Sequence, residues 1–384
     1  MDAFITATGR FLPGEPVPND EIEEYIGKAG RASSDLKDQI LQNSGIKTRY
    51  YAIDKQQQTV YSNTVMAAGA VRDAVERAGL RPEQVEMLAA ATTLPDLMGP
   101  GHASMVHGEL GYPPMEIVTA HGICSSGMMA LKNAYLQVKI GEKSTAVSVA
   151  SELASRGFKH TRYEEMKAIT EDGSLPMETA FLRYMLSDGA GAAVVSNAPA
   201  ADRLSLRIDW ISLTSYANTE KACMYFGSNK NTCEKTWGDY PNASAAAIDG
   251  ALAPRQKLSL LPHLVRVGID EYERLARAGK FDPDAVTWFP AHYSSERMKT
   301  MLTGELKRRG VSAGRPEAWF SNLTRVGNIG SASIYVILDE MLRENLVRPG
   351  ETLLCMVPES GRFAISFMHL TAIAGTGQQS KAES

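Results

Sequence analysis

"AHGICSSGMMALKNAY", residues 120–135, sets one cysteine in a glycine- and serine-rich turn at the head of an apolar, helix-prone run. Gly122, Ser125, Ser126 and Gly127 read as the turn. Met128, Met129, Leu131 and Leu136 read as the buried side of the helix that follows. Cys124 then stands where a strand gives way to a helix. The free N–H groups and the dipole of a helix N-terminus favour negative charge. A thiolate is such a charge, and its pKa drops at that place. This predicts a reactive Cys124. The opposing reading is a small buried hydrophobe, the commoner fate of a free cysteine. The stretch alone leaves both open.

Outward from the turn, strand and helix signals alternate, as in α/β proteins. "VYSNTVMAAGAVRDAVERAGL" reads as a helix, and "VEMLAAATTLP" and "EIVTA" as strands before the turn. "TAVSVASE" and "GAGAAVVSN" read as strands after it. The pattern then returns. "LPHLVRVGIDEYERLARAG" is a helix, "VTWFPAHYS" a strand, "SASIYVILDEMLRENL" a helix, and "ETLLCMVPES" and "RFAISFMHL" are strands. "AGLRPEQVEMLAAATT" resembles "AGKFDPDAVTWFPAHY": Pro82 maps to Pro283 and Val85 to Val286, an offset of 201 in each case. "GICSSGMMAL" and "GNIGSASIYVIL" both open helices, and each is followed by a strand of similar pattern. Two similar halves, 1–200 and 201–384, imply an internal duplication.

The duplication pairs the turn of Cys124 with the turn of Asn328. If the halves pack about a pseudo-two-fold axis, both helix N-termini point into one cleft. His292 follows the strand "VTWFPAH", at a strand C-terminal end where α/β folds gather their active groups. Cys124, His292 and Asn328 are therefore expected to converge. Against this, His292 is one of seven histidines, and asparagine also serves as an ordinary helix cap.

Composition sets the outer bounds. The 384 residues, 44% hydrophobic, allow one large core or two domains. A net charge of −4 gives no basic surface for nucleic acid. Cys124, Cys223, Cys233 and Cys355 form no CxxC, so reduced thiols and a cytoplasmic protein are expected. The start "MDAFITATGRFLPGEPV" lacks the pattern of a signal peptide. No apolar run reaches the roughly 18 residues of a membrane span. The tail "AGTGQQSKAES" is expected to fray.

These motifs resemble the thiolase superfamily, and within it the β-ketoacyl-ACP synthase III group. "GIKTRYYA", "ATTLPDLMGPG", "GICSSGMMAL", "LSDGAGAAVV", "PAHYSSERM" and "VGNIGSASI" resemble the family's motifs in order, over nearly the whole chain. The resemblance implies a five-layered αβαβα sandwich of two duplicated halves. It implies a decarboxylative Claisen condensation of a Cys-bound acyl group with a malonyl- or β-ketoacyl-ACP thioester, in fatty acid or polyketide biosynthesis. Cys124 would hold the acyl group as a thioester. His292 and Asn328 would donate N–H groups to an enolate oxygen. The Cys124 N–H and one near Ser360 or Gly361 would form a second oxyanion hole. No metal or redox cofactor is implied. Acyl carrier protein is the implied partner, with Arg297, Lys299 and Arg308 as its docking surface; a solvated helix face is the alternative for those cations. A homodimer is implied, in which Met98 and Gly99 close or open the partner's acyl pocket; Gly99 alternatively serves only its turn.

Departures from the family point to a specialised enzyme, such as the dialkylresorcinol-condensing type. Glu359 is an unexpected charge beside the presumed oxyanion hole. Gln39 and Asn43 stand where a CoA-stacking tryptophan and an arginine are expected, which weakens CoA gripping and favours a carrier-borne primer. Tyr293 follows the histidine, and segments 156–186 and 213–260 are long, as cap loops over an entrance are. "LSDGAGA" fits a turn between strands rather than a nucleotide loop. Two rivals remain: an acyltransferase passing the acyl group to a hydroxyl or amine, and a non-catalytic partner subunit.

Overall fold

One strand order is used twice. The computed structural model describes residues 1–312 and 314–375, so residues 376–384 of the tail lie outside the described residues. The first half runs β1 (Phe4–Phe11), α1 (Asn63–Ala78), β2 (Met87–Thr92), α2 (His102–Leu110), β3 (Glu116–His121), α3 (Ser126–Lys139), β4 (Thr145–Glu152), α4 (Met177–Met185) and β5 (Gly189–Ser196). The second runs β6 (Ser205–Ser215), α5 (Leu261–Arg277), β7 (Phe289–Pro290), α6 (Glu296–Arg309), β8 (Trp319–Phe320), α7 (Ser333–Arg343), β9 (Thr352–Glu359) and β10 (Ala364–Ile373).

In the first half the order is β3-β2-β4-β5-β1. The three strands β3, β2 and β4 are parallel, and β5 and β1 are antiparallel to their neighbours. In the second half β8 and β7 are parallel, and bridges Trp288–Leu353 and Ala291–Met356 join β7 to β9 in parallel. β9, β10 and β6 then follow antiparallel. The halves meet where β1 pairs β6 through Phe4–Arg207 and Ile5–Leu206.

β1, β6 and the two-residue β8 are the strands that sequence pattern did not reveal. β1 is interrupted by Gly9, where a Cβ would lie 2.4 Å from the Ala70 carbonyl oxygen of α1. β6 alternates weakly because Arg207, Asp209 and Trp210 are only half-buried. By contrast β2 and β4 are buried almost throughout, as parallel strands covered on both faces must be.

The helices form three layers around the two sheets. α1 and α2 cover the outer face of the first, and α5 covers the second with α6 packed on it. Local chemistry starts and stops them: the Ser62 hydroxyl accepts the Val65 N–H and Gly79 ends α1 at φ 69°, while Ser295 and Gly310 do the same for α6. α3 and α7 fill the middle layer, each touching strands of both halves. Residues Ser333–Met341 of α7 are all buried, as a central-layer helix requires. The fold is thus a thiolase-like αβαβα sandwich of two duplicated halves.

α3 departs from expectation on one face. Met128 and Leu131 are buried, but Met129 and Leu136 are 36% and 44% exposed. They lie seven residues apart on the side of α3 that neither half covers. No helix among the described residues is long and apolar enough to cross a membrane.

Candidate active site

The middle layer brings the two helix N-termini together. Gly127 makes this contact possible: a Cβ there would lie 2.2 Å from the Ser331 carbonyl oxygen. The Tyr335 hydroxyl donates to the Gly127 carbonyl at 2.8 Å, fixing α7 against α3. One cavity opens at this junction, holding about 1060 Å³ including its mouth. Cys124, His292 and Asn328 all line it, at the ends of strands or turns from both halves.

Each side chain is held in a definite state. Cys124 and His292 are buried, and burial pushes the His292 pKa down to about 4, so its imidazole is neutral near pH 7. A neutral imidazole keeps one N–H donor. Asn328 is buried too, and its Oδ1 accepts the Gly330 N–H at 2.9 Å. That bond fixes the amide's orientation and leaves its Nδ2 donors for the cavity. Gly330 sits at φ 51°, and a Cβ there would press on Glu152 at 3.2 Å, so the loop depends on glycine.

The thiol reverses the expectation drawn from the helix terminus. Burial pushes the Cys124 pKa well up, and the carboxylates of Glu359 and Glu152 push it further. Of the turn's N–H groups, only that of Cys124 itself favours the ionised sulfur, and it is outweighed. Glu359 Oε2 accepts those of Ile123 and Ser125, at 3.1 and 2.8 Å. Glu152 ends β4 and lines the cavity. Its Oε1 accepts from the hydroxyls of Thr93 and Ser331, at 2.8 and 2.5 Å, tying the first half to the Asn328 loop. Burial pushes its pKa up to about 7.

Comparison with known proteins gives the family and the fold. A sequence model of the thiolase N-terminal domain matches residues 46–188, and one of the 3-oxoacyl-[acyl-carrier-protein] synthase III C-terminal domain matches residues 275–362. The chain belongs to the thiolase superfamily. Within it the second match marks a synthase III-like member. Solved structures share the fold at low identity. AbyA1, a tetronic acid condensing enzyme, has TM-score 0.76 at 19% identity, over 96% of this chain and 99% of its own. The 3-oxoacyl-[acyl-carrier-protein] synthase III of Aquifex aeolicus VF5 has TM-score 0.71 at 20% identity, over 97% and 100%. A Xanthomonas campestris OleA variant with bound lauric acid and lauroyl-CoA has TM-score 0.71 at 16% identity, over 97% and 99%.

The other expected residues of this thiolase-superfamily chain fall in different places. Ser360 lines the cavity, and its hydroxyl donates to Gln256 Oε1 at 3.0 Å. Gly361 is not on the cavity wall; its carbonyl accepts the Cys223 N–H at 2.8 Å. Met98 and Gly99 do not line their own chain's cavity, and Met98 is 88% exposed. Arg297 lines a second cavity together with Gln39 and Asn43. That cavity shares Phe181, Met185 and Met298 with the first. Arg308 is held by Glu305 in a two-point ion pair at 2.7 and 2.5 Å, and Lys299 is half-buried. Cys355 is buried in β9.

Both long segments contribute residues to the cavity wall. Phe158, Phe181 and Met185 come from the first, and Met224, Tyr225 and Gln256 from the second and its end. Sequence reading missed Glu152, Thr93 and Ser331. The position of Glu152 at the end of "TAVSVASE" was a usable signal, since a carboxylate closing an apolar strand needs partners.

Proposed function

We propose that the chain is a synthase III-like ketosynthase. It takes an acyl group from a thioester onto Cys124: the sulfur–carbonyl bond forms, the donor's carbon–sulfur bond breaks, and the thiol proton leaves with the released thiol. A malonyl-type thioester then loses CO2, and the resulting enolate attacks the acyl carbonyl and expels the Cys124 sulfur as a thiolate, which takes a proton from water to become the resting thiol again. Because CO2 leaves, no base need remove a carbon-bound proton. One observation supports the reading above others. A neutral imidazole and an amide locked with its donors free stand in one cavity with a cysteine. Such donors stabilise an enolate oxygen, which acyl transfer to an alcohol or amine does not require. The Cys124 N–H and that of Ser360, which lines the cavity, serve the tetrahedral intermediates in this reading.

The walls favour an acyl chain of medium length or longer. Phe158, Phe181, Leu182, Met185, Leu264 and Met298 are apolar and surround the cavity. The second cavity, with exposed Arg297 at its edge, is the approach for a carrier-bound arm, and its uncharged Gln39 and Asn43 offer little to the phosphates of CoA. β3 is a sheet edge, and Ile117, Met129, Leu136 and Ile140 expose apolar surface beside it. An unpaired edge with an apolar flank suits a second copy of the chain, so the enzyme is a homodimer in this account.

The test separates condensation from transfer. Asn328→Ala should slow malonyl decarboxylation by about 10²–10³, the usual effect of losing one oxyanion donor. Self-acylation of Cys124 should stay within a fewfold of wild type. Condensation at the wild-type rate in Asn328→Ala would refute the role given to its amide, and acyl release from wild type to a hydroxyl or amine without malonyl decarboxylation would favour the acyltransferase.

A further inference from the structure

The turn "PESGRF", residues 358–363, carries a carboxylate that the condensation scheme does not use. Glu359 is the last residue of β9 and is buried. Its side chain crosses from the second half to the first. One oxygen, Oε2, accepts the N–H of Ile123 at 3.1 Å and that of Ser125 at 2.8 Å. These are the residues on either side of Cys124. The Cys124 N–H between them bonds to no other residue among the described residues. The same strand pair holds the turn from behind: the Ser366 hydroxyl donates to Ser125 Oγ at 2.8 Å, and Ser125 donates to the Val357 carbonyl at 3.3 Å. The fit is close, since a Cβ on Gly361 would lie 2.9 Å from Glu359 Oε1.

We infer that Glu359 is a positioning residue: its carboxylate is the resident anion of the nucleophile turn and holds the Cys124 N–H free for the cavity. The helix N-terminus calls for negative charge, and a built-in side chain supplies it. Two charges in one turn repel, so the sulfur stays a thiol at rest. It gives up its proton only as the donor's thiol departs, in the transfer balanced above. The N–H donors of the oxyanion hole also become mechanically linked. Glu359 grips the residues flanking Cys124 and is itself bonded in sequence to Ser360, which lines the same cavity.

The titratable groups facing Cys124 are Glu359 from β9, Glu152 from β4 and His292 after β7. Burial pushes the Glu359 pKa up; the N–H bonds from Ser125 and Ile123, and His121 at the end of β3, oppose it and favour the ionised form. The inference needs Glu359 to be ionised, which makes it open to refutation.

The experiment is alkylation of Cys124 by iodoacetamide across pH, followed at the Cys124 peptide because Cys233 is exposed. Glu359→Gln keeps an acceptor oxygen for both N–H groups and removes the charge. Its thiol inflection should fall by about one pH unit or more, which makes alkylation about tenfold faster below the inflection. Glu359→Ala removes the acceptor as well, and its self-acylation should be slower than that of Glu359→Gln. A Glu359→Gln inflection equal to or above wild type overturns the inference, and this holds even if the alanine variant does not fold. The inference rests on Cys124 as the nucleophile. Alkylation requires no acyl donor, so its outcome is separate from success or failure of the ketosynthase reading.

Discussion

Acid should weaken the wild-type protein more than it weakens His292→Gln. His292 is buried without charge, and its pKa falls from 6.5 to about 4. Between those values the unfolded chain binds a proton that the native chain excludes. Stability is therefore full above the unfolded value and is lost as pH falls toward the native one. Each unit of the gap is worth about 1.36 kcal/mol. Going from about pH 7.5 to about pH 5 crosses roughly one and a half units below 6.5, so His292 alone removes about 2 kcal/mol. Glutamine has no proton to gain. His102, also pushed down to about 4, and Glu152, pushed up to about 7, act in both proteins and cancel in the difference. The assay is urea unfolding of both proteins at the two pH values. Wild type should lose about 2 kcal/mol more than the variant. Parallel losses would mean that His292 titrates as an ordinary histidine, and the neutral N–H donor assigned to the enolate would go with it.

Two further outcomes test pocket and docking. Nothing lies within 4 Å of a Cβ built on Gly99, so Gly99→Phe should fold normally. In the dimer reading its ring enters the partner's pocket, so acylation by long donors should fall while acetyl is retained, each excluded methylene being worth roughly 0.8 kcal/mol; unchanged chain preference in acylation assays returns Gly99 to a turn role. Arg297→Glu should raise the KM for acyl-ACP, with added salt shrinking the difference. Unchanged carrier kinetics would leave that helix face merely solvated, as the Arg308–Glu305 pair already is.

Much of the site was legible because its signals are local. A glycine- and serine-rich turn before an apolar run marks Cys124, and an asparagine before "IGSASI" marks its counterpart. Spacing between repeats then placed both at one junction. What escaped was nonlocal. The sheet joins through β1 and β6, whose pairing partners lie about two hundred residues away in sequence and whose own alternation is weak. Met129 and Leu136 fit helical spacing for burial, but that pattern does not say which covering is supplied within the chain. The thiol's direction failed for the same reason. The helix terminus does attract an anion, but the anion is Glu359, 235 positions from Cys124 in the chain and 2.8 Å from the Ser125 N–H.

The central claim is that Cys124 carries the acyl group. Intact-mass measurement after incubation with acyl-ACP and acyl-CoA donors of increasing length tests it most directly. The account predicts one acyl adduct per chain with a medium-chain donor, mapped to the peptide of Cys124. It predicts the same adduct when Cys223, Cys233 or Cys355 is replaced by alanine, and none in Cys124→Ala. An adduct that persists in Cys124→Ala, or no adduct on wild type with any donor, would contradict it.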